Sequence, residues 1–318
     1  MHTVGIIGMG AIGRVILENM RNHPEFSVIC AWDLNPDICS SVATSFPDID
    51  ISPSADALIA DPRISVIYIA TPPATHGEYV SATIKAGKMI YCEKPFGVSI
   101  EASSKIAEEV EKSGLPNAIN FNHSNAVSTT FLEDEMASGV MGDVAGIDIF
   151  IHLDQWPRKF QAHATWLAGR AQGGFTREML SHWIYLSTRL FGAPELISAS
   201  VQYPEDLTRS EERVLAQLTF GGTPAVINAA VGGVGPVGTQ YTIWAANKSY
   251  RLHSGGQVSS TNAEDWAPEL GHIADIGEED HTRNLNAVAA RFRGEDVKFA
   301  TIAEAFCVQR IVEKILAS

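Results

Sequence analysis

The chain has 318 residues, of which 45% are hydrophobic and 19% charged, an ordinary globular balance at a length that suits about two domains. Its 37 acidic residues outnumber the 23 basic ones, and the formal net charge of −14 repels a phosphate backbone and argues against nucleic-acid binding. No apolar run approaches the roughly 20 residues that a membrane helix needs, so a membrane role is not expected.

The first 120 residues alternate short apolar runs with helical patterns, which implies a parallel sheet covered on both faces. The first strand, residues 4–7, runs into the turn GMGAIG, with Gly8, Gly10 and Gly13 in G-x-G-x-x-G spacing. There the first glycine permits the turn, the second admits a pyrophosphate, and the third lets the following helix pack against the sheet. The helix expected over 11–22 opens with Ala11 and Ile12, whose free N–H groups and dipole favour a phosphate. A second strand, 28–32, ends at Asp33, twenty positions beyond Gly13, where a carboxylate can accept hydrogen bonds from ribose hydroxyls. Because that carboxylate repels a 2′-phosphate and no arginine follows in DLNPD, NAD is favoured over NADP.

A helix over 36–45, a strand over 66–70, the loop TPPATH, a helix over 76–86 and a strand over 89–92 follow. That last strand ends in Glu93-Lys94-Pro95, an unusual finish for a buried strand, and proline helps aim the lysine. A helix over 99–113 is capped by Ser99 and stopped by Gly114 and Pro116, and a strand over 118–120 closes the first half. The cysteines Cys30, Cys39, Cys92 and Cys307 form no C-x-x-C pair, and Cys30 and Cys92 lie in apolar runs. They read as free thiols in a reducing cytoplasm, without a disulfide framework or a metal site. The opening TVGIIGMGAIG likewise reads as folded structure and not as a targeting leader.

Beyond about residue 121 the pattern becomes α+β. Helices are expected over 129–138, 176–190, 282–292 and 301–316, and strands over 196–203, 214–220, 225–231, 240–245 and 250–253, with further strand character in DVAGIDIFIHLD. In VLAQLTF, Val214, Ala216, Leu218 and Phe220 share one strand face, and Leu215, Gln217 and Thr219 the other. That alternation suits a large, mostly antiparallel sheet with one face on helices and one face open.

G-M-G-A-I-G, ATPPATH and E-K-P, taken together, resemble the Gfo/Idh/MocA oxidoreductases, which include glucose–fructose oxidoreductase, inositol dehydrogenase and many sugar dehydrogenases. The resemblance implies an α/β Rossmann domain over 1–120, an α+β substrate and oligomerisation domain with the open-faced sheet over 121–300, and a terminal helix over 301–318 returning to the first domain. It places Lys94 beside the substrate and the nicotinamide, where the cationic oxidised ring would favour the neutral amine that a base needs. Thr71 and Pro72 would line the nicotinamide half of the cofactor; His76 and Glu93 could touch it or act as hydrogen-bonding supports.

The family's second element is a glycine pair or triplet followed by an aspartate and, four residues later, a histidine. Here QGGFTREMLSHW supplies Gly173, Gly174 and His182, with Glu178 in the aspartate's place and Phe175 where a third glycine often stands. At i, i+4 on one helix, Glu178 and His182 would share a face, and the longer side chain could turn aside to Arg177 or Arg170. Asn120, Asn122 and His123, at the crossing between domains, and Trp156, Arg158 and Trp166 are weaker candidates for substrate contact; Arg158 and Arg170 would also admit an anion. The leading expectation is an NAD-dependent dehydrogenase of a sugar, polyol or sugar acid, with Lys94 and His182 as an acid/base pair and Glu178 assisting. The alternatives are a non-catalytic NAD-binding sensor and a reductase of a non-sugar substrate. A homodimer or homotetramer through the open sheet face is also expected.

Overall fold

The computed structural model describes residues 1–253 and 255–318. The chain forms two compact units, Met1–Phe121 with His281–Phe306, and Asn122–Asp280 with Cys307–Ser318.

The first unit opens with β1 (His2–Ile7), α1 (Ala11–Arg21), β2 (Phe26–Trp32), α2 (Pro36–Ser45), β3 (Asp50–Ile51), α3 (Ala55–Ala60), β4 (Val66–Ile69), α4 (His76–Lys85), β5 (Met89–Glu93), α5 (Ile100–Ser113) and β6 (Asn117–Asn120). Every strand pair is parallel and the order is β3-β2-β1-β4-β5-β6. The order reverses between β1 and β4, the switch point at which such sheets form a crevice outside their carboxyl ends. All four residues of β4 are buried, as a strand covered on both faces requires. Local signals act as the sequence suggests: Ser99 Oγ accepts the Ala102 N–H at 3.3 Å, and Gly114 ends α5 in the left-handed region at φ 64°. The sequence reading did not contain β3 and α3; with two and six residues they are too short for periodicity to show.

The second unit contains α6 (Val127–Ala137), β7 (Val144–Leu153), a π-turn over Thr176–Leu180, α7 (Ser181–Phe191), β8 (Pro194–Gln202), β9 (Arg213–Phe220), β10 (Thr223–Val231), β11 (Gly238–Ala245), β12 (Ser249–His253), β13 (Val258–Thr261) and β14 (Ala267–Pro268). Its eight-stranded sheet has the order β14-β13-β12-β11-β7-β10-β9-β8. Only β7 and β10 pair in parallel there; the other neighbours are antiparallel. In β9 the expected alternation holds: Val214, Ala216, Leu218 and Phe220 are buried. Helix α7 packs on that buried face, with the Trp183 ring stacked on Tyr241 at 5.6 Å. On the other face Leu215, Val226, Phe150 and Trp244, one from each of four neighbouring strands, stay 40–49% exposed.

Two helices end the chain, α8 (Ile276–Phe292) and α9 (Ile302–Leu316). Residues 281–300, expected with the second domain, group with the first unit, because Leu285, Val288, Phe292 and Phe299 bury in one cluster with Val4, Ile6, Leu17 and Met20. The Ile119 N–H donates to the Ala300 carbonyl at 2.8 Å, so this return also covers the outer edge of β6. The terminal helix differs from its expected placement too. Its start belongs to the first unit, where the Ile302 N–H donates to Asn117 Oδ1 at 2.9 Å, but residues 307–318 group with the second.

Candidate active site

The three motif glycines meet different constraints. A Cβ on Gly8, at φ +95°, would lie 2.6 Å from the Ala70 carbonyl oxygen, and one on Gly13 would lie 2.1 Å from that of Gly8. A Cβ on Gly10 would meet nothing within 4 Å. The loop is therefore packed solid at its outer glycines and open at the middle one, as a close approach by a pyrophosphate requires. Among the described residues no side chain caps α1, so the exposed residues Ala11 and Ile12 leave their amide groups available.

Asp33 makes structural contacts that sequence reasoning missed: Oδ2 accepts the Met9 N–H at 2.7 Å, and Oδ1 accepts the Asn35 N–H at 2.9 Å. The carboxylate pins the glycine turn to the end of β2 and keeps further lone pairs for hydroxyl groups. Ile12 and Leu34, 48% and 86% exposed, offer apolar surface beside this turn; Leu34 went unnoticed because an isolated apolar loop residue carries no periodic signal.

Three expected residues follow the end of β4. Thr71 Oγ1 accepts from Thr75 Oγ1 at 2.8 Å, and Pro72 is exposed. His76 is fully buried, with its ring nitrogens 2.7 Å from the Thr71 carbonyl and 2.9 Å from that of Pro95. Burial pulls its pKa down to about 4, with the two carbonyls opposing. Its observed contacts tie the Thr71 loop to the segment after Lys94.

Glu93 points into the sheet, where its carboxylate accepts the Tyr68 hydroxyl and, at 2.6 Å, the Asn120 side-chain amide. Tyr91 donates to Asn120 Oδ1 at 2.7 Å, which closes the network. Burial first, and the Glu93 charge second, hold the Tyr68, Tyr91 and Cys92 pKa values well above their usual range. Lys94, half-buried, follows directly on this fixed carboxylate.

In the second unit the expected α-helix over 176–190 is a π-turn followed by α7. The Ser181 N–H donates to the Thr176 carbonyl five residues back, so the turn is wider than an α-turn. Glu178 sits on the π-turn and His182 in the first turn of α7, and the four-residue spacing no longer places them as it would on a continuous helix. The turn is held from outside. Glu211, 2% exposed and with its pKa raised by burial, accepts the Thr176 N–H at 2.7 Å. Arg177 forks Glu313 through Nε and Nη2 at 2.7 Å each and sends Nη1 to the carbonyls of Arg170 and Gly173 at 2.9 Å. Gly174, at φ +101°, has no room for a Cβ, which would stand 2.4 Å from Glu211 Oε2. Phe175, where the resemblance would often put a third glycine, is a core residue, 0% exposed.

His182 Nδ1 accepts the Asn122 N–H at 3.3 Å, which assigns the ring proton of the neutral form to Nε2. His123 lies edge-on to His182 at 6.4 Å and is buried, with its pKa lowered to about 4. Glu178 Oε1 accepts from Gln161 at 3.3 Å, and Gln161 Oε1 accepts from Arg158 Nε at 2.8 Å. Arg170, the other suggested partner of Glu178, lies over the Tyr203 ring at 3.7 Å. Trp156 is an anchor more than a wall, donating Nε1–H to the Leu167 carbonyl at 2.9 Å; Trp166 is half-buried. Each unit thus assembles its own candidates: the glycine turn, Asp33, Thr71 and Lys94 in the first, and Glu178, His182, Asn122, His123 and Arg158 in the second.

A family profile described as "Oxidoreductase family, NAD-binding Rossmann fold" matches residues 2–121, and one described as "GFO/IDH/MocA C-terminal domain" matches residues 131–251. The chain is 30% identical to an inositol 2-dehydrogenase of Acidothermus cellulolyticus over 44% of its own length and 41% of that protein's. It is 23% identical to the scyllo-inositol 2-dehydrogenase (NADP(+)) of Bacillus subtilis over 94% of its length and 80% of the relative's. For several curated relatives the match spans about half of their length or less, 35 to 49%. Among solved structures, an oxidoreductase from Agrobacterium radiobacter in complex with NAD+, L-tartaric acid and magnesium shares the fold at a TM-score of 0.85 and 15% identity, covering 100% of this chain and 96% of that one.

Proposed function

The chain belongs to the Gfo/Idh/MocA oxidoreductase family, with an NAD-binding Rossmann fold, and from that premise we propose that it is an NAD-dependent dehydrogenase of a secondary alcohol or hemiacetal carbon in a sugar, polyol or sugar acid. The observation that carries the reading is the glycine turn, closed at Gly8 and Gly13 and open at Gly10, at the same sheet edge as Lys94. The residues fit a dinucleotide: Gly10 and the α1 amides for the pyrophosphate, Asp33 for ribose hydroxyls, Thr71 and Pro72 toward the nicotinamide half. When bound, that cofactor supplies the carbon that exchanges hydride. Names of relatives, inositol 2-dehydrogenases among them, support a polyhydroxylated substrate.

In this reading Lys94 takes the proton of the reacting hydroxyl. The Glu93 network beneath it fixes a negative charge and the strand end. His182 presents Nε2–H to the same oxygen, because Nδ1 is engaged by the Asn122 N–H, and Glu178 orients a neighbouring hydroxyl. Asp33 sets NAD above NADP by charge repulsion.

Lys94→Ala should lower kcat on a sugar and polyol panel by orders of magnitude, with NADH binding retained. Lys94→Ala/His182→Ala should lose far less than the product of the single losses, because both act on one oxygen. Full activity of Lys94→Ala, or a preference for NADP+ with Asp33 intact, refutes the corresponding part. The exposed stripe of Leu215, Val226, Phe150 and Trp244 suits pairing of two copies through the open sheet face. A monomer in sedimentation at micromolar concentration would remove that assignment.

A further inference from the structure

We propose that the substrate is anionic, a sugar acid or other polyhydroxy carboxylate, and that Arg158 grips its carboxylate. For its chemistry this rests on the dehydrogenase reading above, but the binding claim stands on Arg158 alone.

The argument starts from how the arginines of the second unit are compensated. Arg177 is forked by Glu313 and Arg189 by Glu133, with arginine side chains only 9% and 8% exposed. Arg158 has no carboxylate within salt-bridge distance among the described residues, although it is half-buried. Burial lowers its pKa, with the more distant Glu178 opposing, the mark of a cation whose lost hydration is not fully replaced. Its side chain is nevertheless held. Nε donates to Gln161 Oε1 at 2.8 Å, and the guanidinium lies 4.7 Å from the Phe160 ring centre and 5.9 Å from that of Trp156. The fork is therefore oriented, and its two terminal nitrogens make no hydrogen bond to the described chain. A carboxylate matches two parallel N–H donors of a guanidinium, and a preorganised fork loses little entropy on binding it.

Gln161 connects this cation to the catalytic candidates. It is 9% exposed, and its amide accepts from Arg158 and donates to Glu178, so the two opposite charges are kept apart by one side chain. The cation can then take the substrate's anionic end, while the Glu178 carboxylate, an acceptor only, takes its hydroxyls. Phe160, 65% exposed beside the guanidinium, adds apolar surface at this end.

The test compares matched ligands on the NADH-loaded protein by isothermal titration: D-gluconate against D-glucitol, and D-glucuronate against D-glucose, with D-glucose 6-phosphate as a control. kcat/KM with NAD+ is measured on the same set. The acids should bind about 10- to 100-fold more tightly than their neutral counterparts, the scale of a charge-assisted fork. Arg158→Gln should bring that ratio close to one, and Arg158→Lys should fall between, with the circular dichroism and NADH affinity of both variants unchanged. Equal or better binding of the neutral ligands, survival of the ratio in Arg158→Gln, preference for the phosphate, or no binding of either acid each overturns the proposal. If the acids bind through Arg158 but no ligand is oxidised, the site stands and the dehydrogenase reading falls. If neutral sugars are oxidised without any preference for acids, the reverse holds.

Discussion

The pair Arg177–Glu313 offers a quantitative test of how the π-turn is held. Both ends of both groups meet at 2.7 Å, and the side chains are 9% and 13% exposed. Glu313→Ala leaves a guanidinium buried without its counter-charge, a change that costs about 3–5 kcal/mol. The carbonyls of Arg170 and Gly173 stay on Nη1 and offset part of the loss, which argues for the lower end, about 3 kcal/mol. A solvated pair would lose under about 1 kcal/mol. Replacing both partners, Arg177→Met with Glu313→Ala, removes both charges but orphans two carbonyls, so the double variant should recover only part of the stability. The coupling in the double-mutant cycle should exceed about 1.5 kcal/mol. Urea unfolding followed by circular dichroism supplies the energies, provided the m-values agree. Hydrogen exchange over residues 176–181 reports the turn itself and should accelerate in Glu313→Ala. A single-variant loss below about 1 kcal/mol, with additive effects and unchanged exchange, would refute the idea that the terminal helix clamps this turn.

Two further outcomes follow from geometry and burial. Gly13→Ala should fail to fold normally, since its Cβ would stand 2.1 Å from a backbone oxygen, whereas Gly10→Ala meets nothing within 4 Å and should fold. Gly10→Ala should still bind NADH at least about tenfold more weakly in a fluorescence titration, because its methyl fills the pyrophosphate's approach; wild-type affinity would exclude that contact. His76 and His123 are both lowered from 6.5 to about 4 by burial, so the unfolded chain binds protons that the folded one refuses. Stability should therefore be fully present above about pH 6.5 and fall as the pH drops toward 4, by about 3 kcal/mol for each ring. His123→Asn should halve that slope in thermal melts, and wild-type and variant curves running parallel over this range would contradict the assignment.

Much of the architecture was legible because it is local. The period-two alternation of β9, the Ser99 and Gly114 boundaries of α5 and the glycine spacing before α1 each depend on a few neighbouring residues. What escaped depends on distant partners. The π-turn is stabilised by Glu211 and Glu313, 35 and 136 residues from the groups they hold, and no periodicity within 176–190 could reveal it. The same is true of Asp33, expected from the sequence as a ribose partner but not as the clamp on the Met9 amide, and of Glu93, whose partners Tyr68 and Asn120 come from neighbouring strands. The resemblance implies residues 281–300 in the second domain, yet Leu285, Val288, Phe292 and Phe299 bury with the apolar core of the first unit.

That return of the chain has a consequence for biosynthesis. Val4, Leu17 and Met20 leave the ribosome well before Leu285, Val288, Phe292 and Phe299, which share their cluster. The apolar flank they form stays wet until residues 281–300 have been made. A fragment stopped at Phe121 would carry that flank uncovered, so the first unit completes its core only once residues 281–300 are present.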